Sequence, residues 1–201
     1  MKILVLSDVT DASGKQHEAI PFALTDASLL TGGKPQFLPH EEHEYLLFPC
    51  AALQLQNTGR KIAPRFVHRY VEKMGAAAML VDMTELTACR KLGLPYTRAV
   101  SFDFNVARGT MLPFTPEEFE ALSLEYGIGS EKRRWTTENE GKTWRDSLAL
   151  LSRDYTFRTG DLVLPYLGKP VAVKVDTHVR AGIFDRENNL ATNIILEYNI
   201  K

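Results

Sequence analysis

The closing stretch of the chain limits the fold more than any other feature. DLVLPYL, VAVKVDTHV, RAGIF and NIILEYNIK follow one another between residues 161 and 201, all short and β-prone, with DRENN as a hairpin turn between the last two. Helical periodicity elsewhere is sparse. The chain therefore reads as α+β, with a β-rich, mostly antiparallel core and a few scattered helices.

Residues 63–74 carry the clearest helical pattern. Phe66, Val67, Tyr70, Val71 and Met74 share one face, Pro64 suits a first turn and Gly75 an end. The apolar run AAAMLVDM that follows suits a buried strand and places Asp82 near its end. In FTPEEFEAL, Thr115 is the expected N-cap with Pro116 next and Glu118 three residues on. Leu122, Leu124, Tyr126 and Ile128 then alternate as on a half-buried strand. A second helix is expected around residues 144–152, with Trp144, Leu148 and Leu151 on one face. At the other end, Lys2 to Leu6 reads as a short buried strand, and SDVTDASGKQHE, lacking periodicity, as a loop.

With 24 basic and 25 acidic residues, charge offers no reason to expect nucleic acid or an anionic membrane as partner. The run Lys132, Arg133, Arg134 reads as a solvated turn or strand end. Cys50 and Cys89 are too few for a disulfide framework or a four-thiolate zinc site, and suit a reducing, cytoplasmic setting. The start MKILVLSDV lacks the long apolar region of a signal peptide, and no apolar run reaches the length of a membrane span. Trp135 and Trp144 are expected to anchor packing. His68, His178 and Cys89 read as packing or surface groups.

Between Leu38 and Cys50 the sequence LPHEEHEYLLFPC crowds His40, Glu41, Glu42, His43 and Glu44 into five positions. A zincin helix needs histidines four apart on one face. His40 and His43 are three apart, and Pro39 and Pro49 leave little room for a helix, so the cluster reads as a solvent-facing turn.

Three passages resemble the fumarylacetoacetate hydrolase family. IAPRFVHRYVEKMGAAAMLVDMT is similar to its helix leading into an Asp-aliphatic-Thr strand, GLPYTRAVSFD to its Gly-Leu-Pro-Trp and Lys-x-Phe-Asp segment, and LALLSRDYTFRTGDLVL to its helix and Gly-Asp-aliphatic run. FALTDASLL and the closing ILEYNIK are looser matches. The resemblance covers about residues 20–201, leaves residues 1–19 as a divergent segment, and implies one domain, a mixed β-roll that usually dimerises.

It also implies a divalent-metal enzyme. In the family a Glu-x-Glu pair and an Asp hold Mg2+ or Mn2+, which binds a 2-oxo acid or 1,3-dicarbonyl through two oxygens. A His with a nearby Glu activates water, a Lys stabilises the enolate, and a Thr loop contacts substrate. Asp82 matches the metal aspartate. Without a gap, the glutamate pair falls on Phe48 and Cys50, which keeps YLLFPCAALQL in the family's strand; an insertion before Gly59 moves it to Glu42 and Glu44. The first placement is preferred, and neither of its side chains suits Mg2+. The family's lysine position is Val100, its threonine loop becomes Pro165, Tyr166 and Leu167, and only the adjacent His17 and Glu18 lie near the lid region.

The expected function is accordingly a family-like protein with a degenerate site, a non-catalytic binding or assembly subunit that needs no cofactor. The competing expectation is an active Mg2+- or Mn2+-dependent hydrolase, isomerase or decarboxylase of small oxo acids, with Glu42, Glu44 and Asp82 as ligands. An unrelated α+β interaction domain is the third. A homodimer is expected, with a small oxo acid as possible ligand.

Overall fold

The computed structural model describes residues 1–10, 16–139, 142–184 and 190–201. In chain order the strands are β1 (Lys2–Thr10), β2 (Gln16–Thr25), β3 (Leu29–Thr31), β4 (Tyr45–Leu55), β5 (Val71–Asp82), β6 (Val106–Pro113), β7 (Ser123–Ile128), β8 (Glu131–Thr136), β9 (Glu138–Asn139), β10 (Lys142–Thr143), β11 (Leu162–Leu164), β12 (Val171–Val173), β13 (His178–Phe184) and β14 (Leu190–Asn199). The α-helices are α1 (Met83–Leu92), α2 (Thr97–Val100), α3 (Pro116–Ala121) and α4 (Trp144–Asp154), and 3-10 turns span Asp26–Ser28 and Pro64–Tyr70. The large sheet runs β2-β1-β11-β4-β5-β6-β3, with β12 also on β4; a second sheet runs β14-β13-β7-β8. Only β1/β11 and β3/β6 pair in parallel among the described strands. The α+β, β-rich expectation holds. The DRENN turn at residues 185–189 lies outside the described residues.

Two local expectations need correction. The segment read as a loop after Leu6 is largely ladder: β1 continues to Thr10, β2 begins at Gln16, and Val9 pairs with His17 across an irregularity after Ser7. Backbone pairing at the sheet's edge holds this stretch, and pairing needs no side-chain periodicity. The helix expected over residues 63–74 stops at Tyr70, and β5 starts at Val71. Gly75 sits inside that strand, where a Cβ would lie 2.6 Å from the Thr110 carbonyl of β6. It is a point of close strand approach, not a helix end.

The two sheets pack through small residues. β5 carries Gly75, Ala76 and Ala77, opposite Ala52, Ala51 and Cys50 of β4. A Cβ on Gly109 of β6 would stand 1.9 Å from the Ile195 carbonyl of β14, so only glycine lets the sheets meet there. Tyr126 of β7 crosses the interface and donates its hydroxyl toward the carbonyls of Cys50 at 2.5 Å and Ala77 at 3.0 Å. Phe119, Trp135 and Trp144 are all buried and meet edge-on or tilted, so both tryptophans anchor packing as expected. Trp144, Leu148 and Leu151 form the buried face of α4, and Leu124, Tyr126 and Ile128 that of β7.

Pro49 lies in the middle of β4 without breaking it. Its carbonyl accepts from the Gly168 amide at 2.7 Å, on the flank between β12, which ends its pairing at Leu47, and β11, which begins at Leu53. A residue's N–H points the same way as its carbonyl in a strand, so the missing donor faces this gap and removes no bond to β5. At the opposite end of the chain, the Lys2 amide donates to the Asp161 carboxylate at 3.1 Å and its ammonium pairs with the same group. That contact fixes the start of β1 beside β11.

Candidate functional site

The turn before β4 and the junction between β5 and α1 are tied together at four points. Tyr45, the first residue of β4, is the register partner of Asp82, the last of β5. The Met83 amide donates to the Glu44 carbonyl at 2.8 Å, and the Glu44 amide to Thr84 Oγ1 at 2.9 Å. The fourth is Asp82, which caps α1 by accepting the Glu85 amide on Oδ1 at 2.9 Å while Oδ2 lies 2.7 Å from His43 Nδ1. Asp82 is only 4% exposed.

The turn itself is closed by the His43 amide donating to the His40 carbonyl at 3.1 Å, and the His40 amide donates to the buried Tyr45 hydroxyl at 3.2 Å. These bonds bring the two imidazoles to a centroid separation of 4.7 Å. His40, Glu42 and His43 offer ligand atoms all within 4.8 Å of one another, the first two side chains exposed and the third half-buried. The hydrogen bond to Asp82 raises the His43 imidazole above its ordinary value; desolvation opposes it, and the charges of Asp82, Glu42 and Glu85 reinforce it. Burial pushes the Tyr45 phenol up to about 12. A cavity of about 170 Å³ opens alongside, walled by Pro39, His40, Asp82, Arg98, Ser101 and Phe102 among others.

The other candidate residues lie elsewhere or play packing roles. Phe48 pairs with Met79 and Cys50 with Ala77, three and five positions along β5 from Asp82, or about 10 and 17 Å at about 3.4 Å per residue. Cys50 is fully buried, its thiol donates to the Ala77 carbonyl at 3.4 Å, and burial pushes it well up. Glu42 joins the histidine cluster, whereas Glu44 contributes its backbone to the junction. Val100 ends α2, half-buried, with its carbonyl accepting from Asn105 Nδ2 at 2.8 Å. Tyr166 stacks on Trp135 at 5.0 Å and bonds through its hydroxyl to the Thr136 carbonyl; Pro165 is buried and Leu167 half-buried. The side chains of His17 and Glu18 lie outside the described residues.

The three remaining isolated groups have partners. His68 Nδ1 meets Arg145 at 3.3 Å, His178 meets Glu197 at 3.1 Å, and the buried Cys89 thiol donates to Glu85 at 3.6 Å. The role that sequence reasoning missed is that of His43, read there only as part of a solvent-facing turn. Its link to Asp82 depends on the β4/β5 register, which no local pattern reveals.

No family model matches the sequence, and no curated protein matches it as a relative. Solved structures do match its fold. One is a candidate fumarylacetoacetate hydrolase family protein from Yersinia pestis CO92, 16% identical, with 100% of this chain covering 92% of that one at a TM-score of 0.83. A second is the fumarylpyruvate hydrolase of Pseudomonas aeruginosa in complex with Mn2+ and pyruvate, 13% identical, covering 100% and 89% at 0.82. A third is the 5-carboxymethyl-2-hydroxymuconate delta-isomerase of Mycobacterium smegmatis, 13% identical, covering 99% and 76% at 0.78. The chain has the fold of the fumarylacetoacetate hydrolase family, in which both hydrolases and isomerases occur. No helix among the described residues is long and apolar enough to cross a membrane.

Proposed function

We propose that this protein is a fumarylacetoacetate hydrolase family member that has lost the family's hard-cation chemistry and acts as a non-catalytic binding or assembly subunit. Asp82 carries the reading. Both its carboxylate oxygens are engaged by protein donors, and the register position opposite it is a tyrosine, not a carboxylate. Mg2+ and Mn2+ are best served by several oxygen ligands, and the residues around Asp82 do not fit that set. Val100 supplies no charge for an enolate, and Tyr166 is spent on packing against Trp135. A homodimer in the cytoplasm, with a small oxo acid as its ligand class, belongs to the same reading.

A second reading, an active metal-dependent hydrolase, isomerase or decarboxylase of small 2-oxo acids or 1,3-dicarbonyls, draws on one observation: Glu42 stands with two histidines beside Asp82. Assaying purified protein with acylpyruvates and oxaloacetate at millimolar Mg2+ or Mn2+ separates the two. The expected result is no metal-dependent turnover and an unchanged melting temperature. Turnover that Asp82→Ala abolishes establishes the second reading instead.

A further inference from the structure

We propose that the turn at residues 40–43 is a zinc site, with His40, Glu42 and His43 as ligands and Asp82 as the group that orients His43. This goes beyond the loss of hard-cation chemistry, because it concerns a different class of ion held by different residues. A three-residue histidine spacing fails on a zincin helix, but here it is read on a tight turn. The His43-to-His40 backbone bond folds the chain back so that the two rings come together at a centroid separation of 4.7 Å, tilted by 36°.

The second observation is the carboxylate behind the cluster. Asp82 holds His43 by Nδ1 at 2.7 Å and is itself fixed by the Glu85 amide. With the Nδ1 proton donated to that carboxylate, Nε2 carries the lone pair and is the atom free for an ion. This carboxylate–histidine–metal order is the one that sets ring orientation and raises ligand basicity in zinc sites. The His40 ring has no hydrogen bond among the described residues, so it needs no partner displaced.

Two imidazoles and one carboxylate favour a borderline cation over Mg2+, and match a zinc set that leaves a fourth position for water or an anion. Bonds of about 2.0–2.1 Å in a tetrahedron space the ligand atoms about 3.4 Å apart. One ring nitrogen of each histidine and a Glu42 carboxylate oxygen already lie within 4.8 Å of one another, and rotamer changes of the exposed His40 and Glu42 side chains bring them to bonding geometry around His43.

The test is calorimetric titration of tag-free, chelator-stripped protein with Zn2+, repeated with Co2+ for its visible ligand-field bands. The expected result is one saturable equivalent per chain that millimolar Mg2+ does not displace. His40→Ala and Glu42→Gln, both at exposed positions, should each weaken binding by about tenfold or more, and Asp82→Asn, which retains a capping side chain, by about 10- to 100-fold. Absence of zinc binding overturns the proposal, as does binding unchanged in the His40→Ala/Glu42→Gln double variant. Magnesium-dependent turnover would refute the preceding reading while leaving this titration to stand or fall alone.

Discussion

Oδ2 of Asp82 lies 2.7 Å from Nδ1 of His43, joining the end of β5 to a turn 39 residues earlier in the chain. The pairing makes stability depend on pH with a definite sign. Hydrogen bonding to Asp82 raises the folded-state value of His43 above its ordinary 6.5. The stabilisation is therefore fully present below the unfolded value and is lost as pH rises through the folded one. The groups facing the imidazole are His40 and Glu42 of its own turn, Asp82 of β5 and Glu85 of α1. In chelator-treated protein, the melting-temperature gap between wild type and His43→Gln should be wider at about pH 6 than at about pH 9. A gap that widens with rising pH would contradict the pairing.

Two buried tyrosines should respond in opposite ways to loss of their hydroxyl. Tyr126 bonds to the carbonyls of Cys50 and Ala77 across the sheet interface, while the buried Tyr198 hydroxyl has no hydrogen-bond partner among the described residues. Tyr126→Phe is expected to cost about 1–3 kcal/mol in urea denaturation, and Tyr198→Phe to be neutral or stabilising by up to about 1 kcal/mol. Equal losses in both variants would mean that Tyr198 has a partner of its own.

Gly109→Ala should be among the most damaging single substitutions. The added methyl would meet the Ile195 backbone carbonyl at 1.9 Å, and a carbonyl cannot swing away as a side chain does. The expected cost is about 3 kcal/mol or more, read as a lowered denaturation midpoint or loss of soluble protein. A variant as stable as wild type would place β6 and β14 farther apart than described.

Much of the fold was legible because burial imposes periodicity. Leu124, Tyr126 and Ile128 face one way on β7, and Trp144, Leu148 and Leu151 share a face of α4; each pattern is visible within its own segment. α1 was legible too, yet passed over. Asp82 three residues before Glu85, with Gly93 closing the helix at φ 66°, is a complete pair of end signals. The edge ladder between β1 and β2 left no such trace, because backbone bonds there are indifferent to side-chain pattern. Residues 63–74 misled because a 3-10 turn followed by a strand can imitate helical spacing over two turns.

The site was less legible for a different reason. The apolar run placed Asp82 at a strand end and the family resemblance singled it out, but its neighbours depend on the pairing of Tyr45 with Asp82, set by contacts spread along the full length of two strands. Phe48 and Cys50 sit in the strand as expected, only farther along it. His40 and His43 were noticed and assigned to a turn, which they form; what their turn points at became visible only with α1 in place.

The bond between Lys2 and Asp161 has a consequence for how the chain is made. β1 pairs on one side with β11, some 159 residues later in the chain. At about 5–20 residues per second, that partner is synthesised about 8–30 s after β1 emerges. During that interval the flank of β4 that will receive β11 is also bare, so the nascent sheet carries two unsatisfied edges at once. A chain cut short before Asp161 would thus hold the β1–β2 hairpin and the bare flank of β4 exposed together, and would be prone to sticking to its own kind.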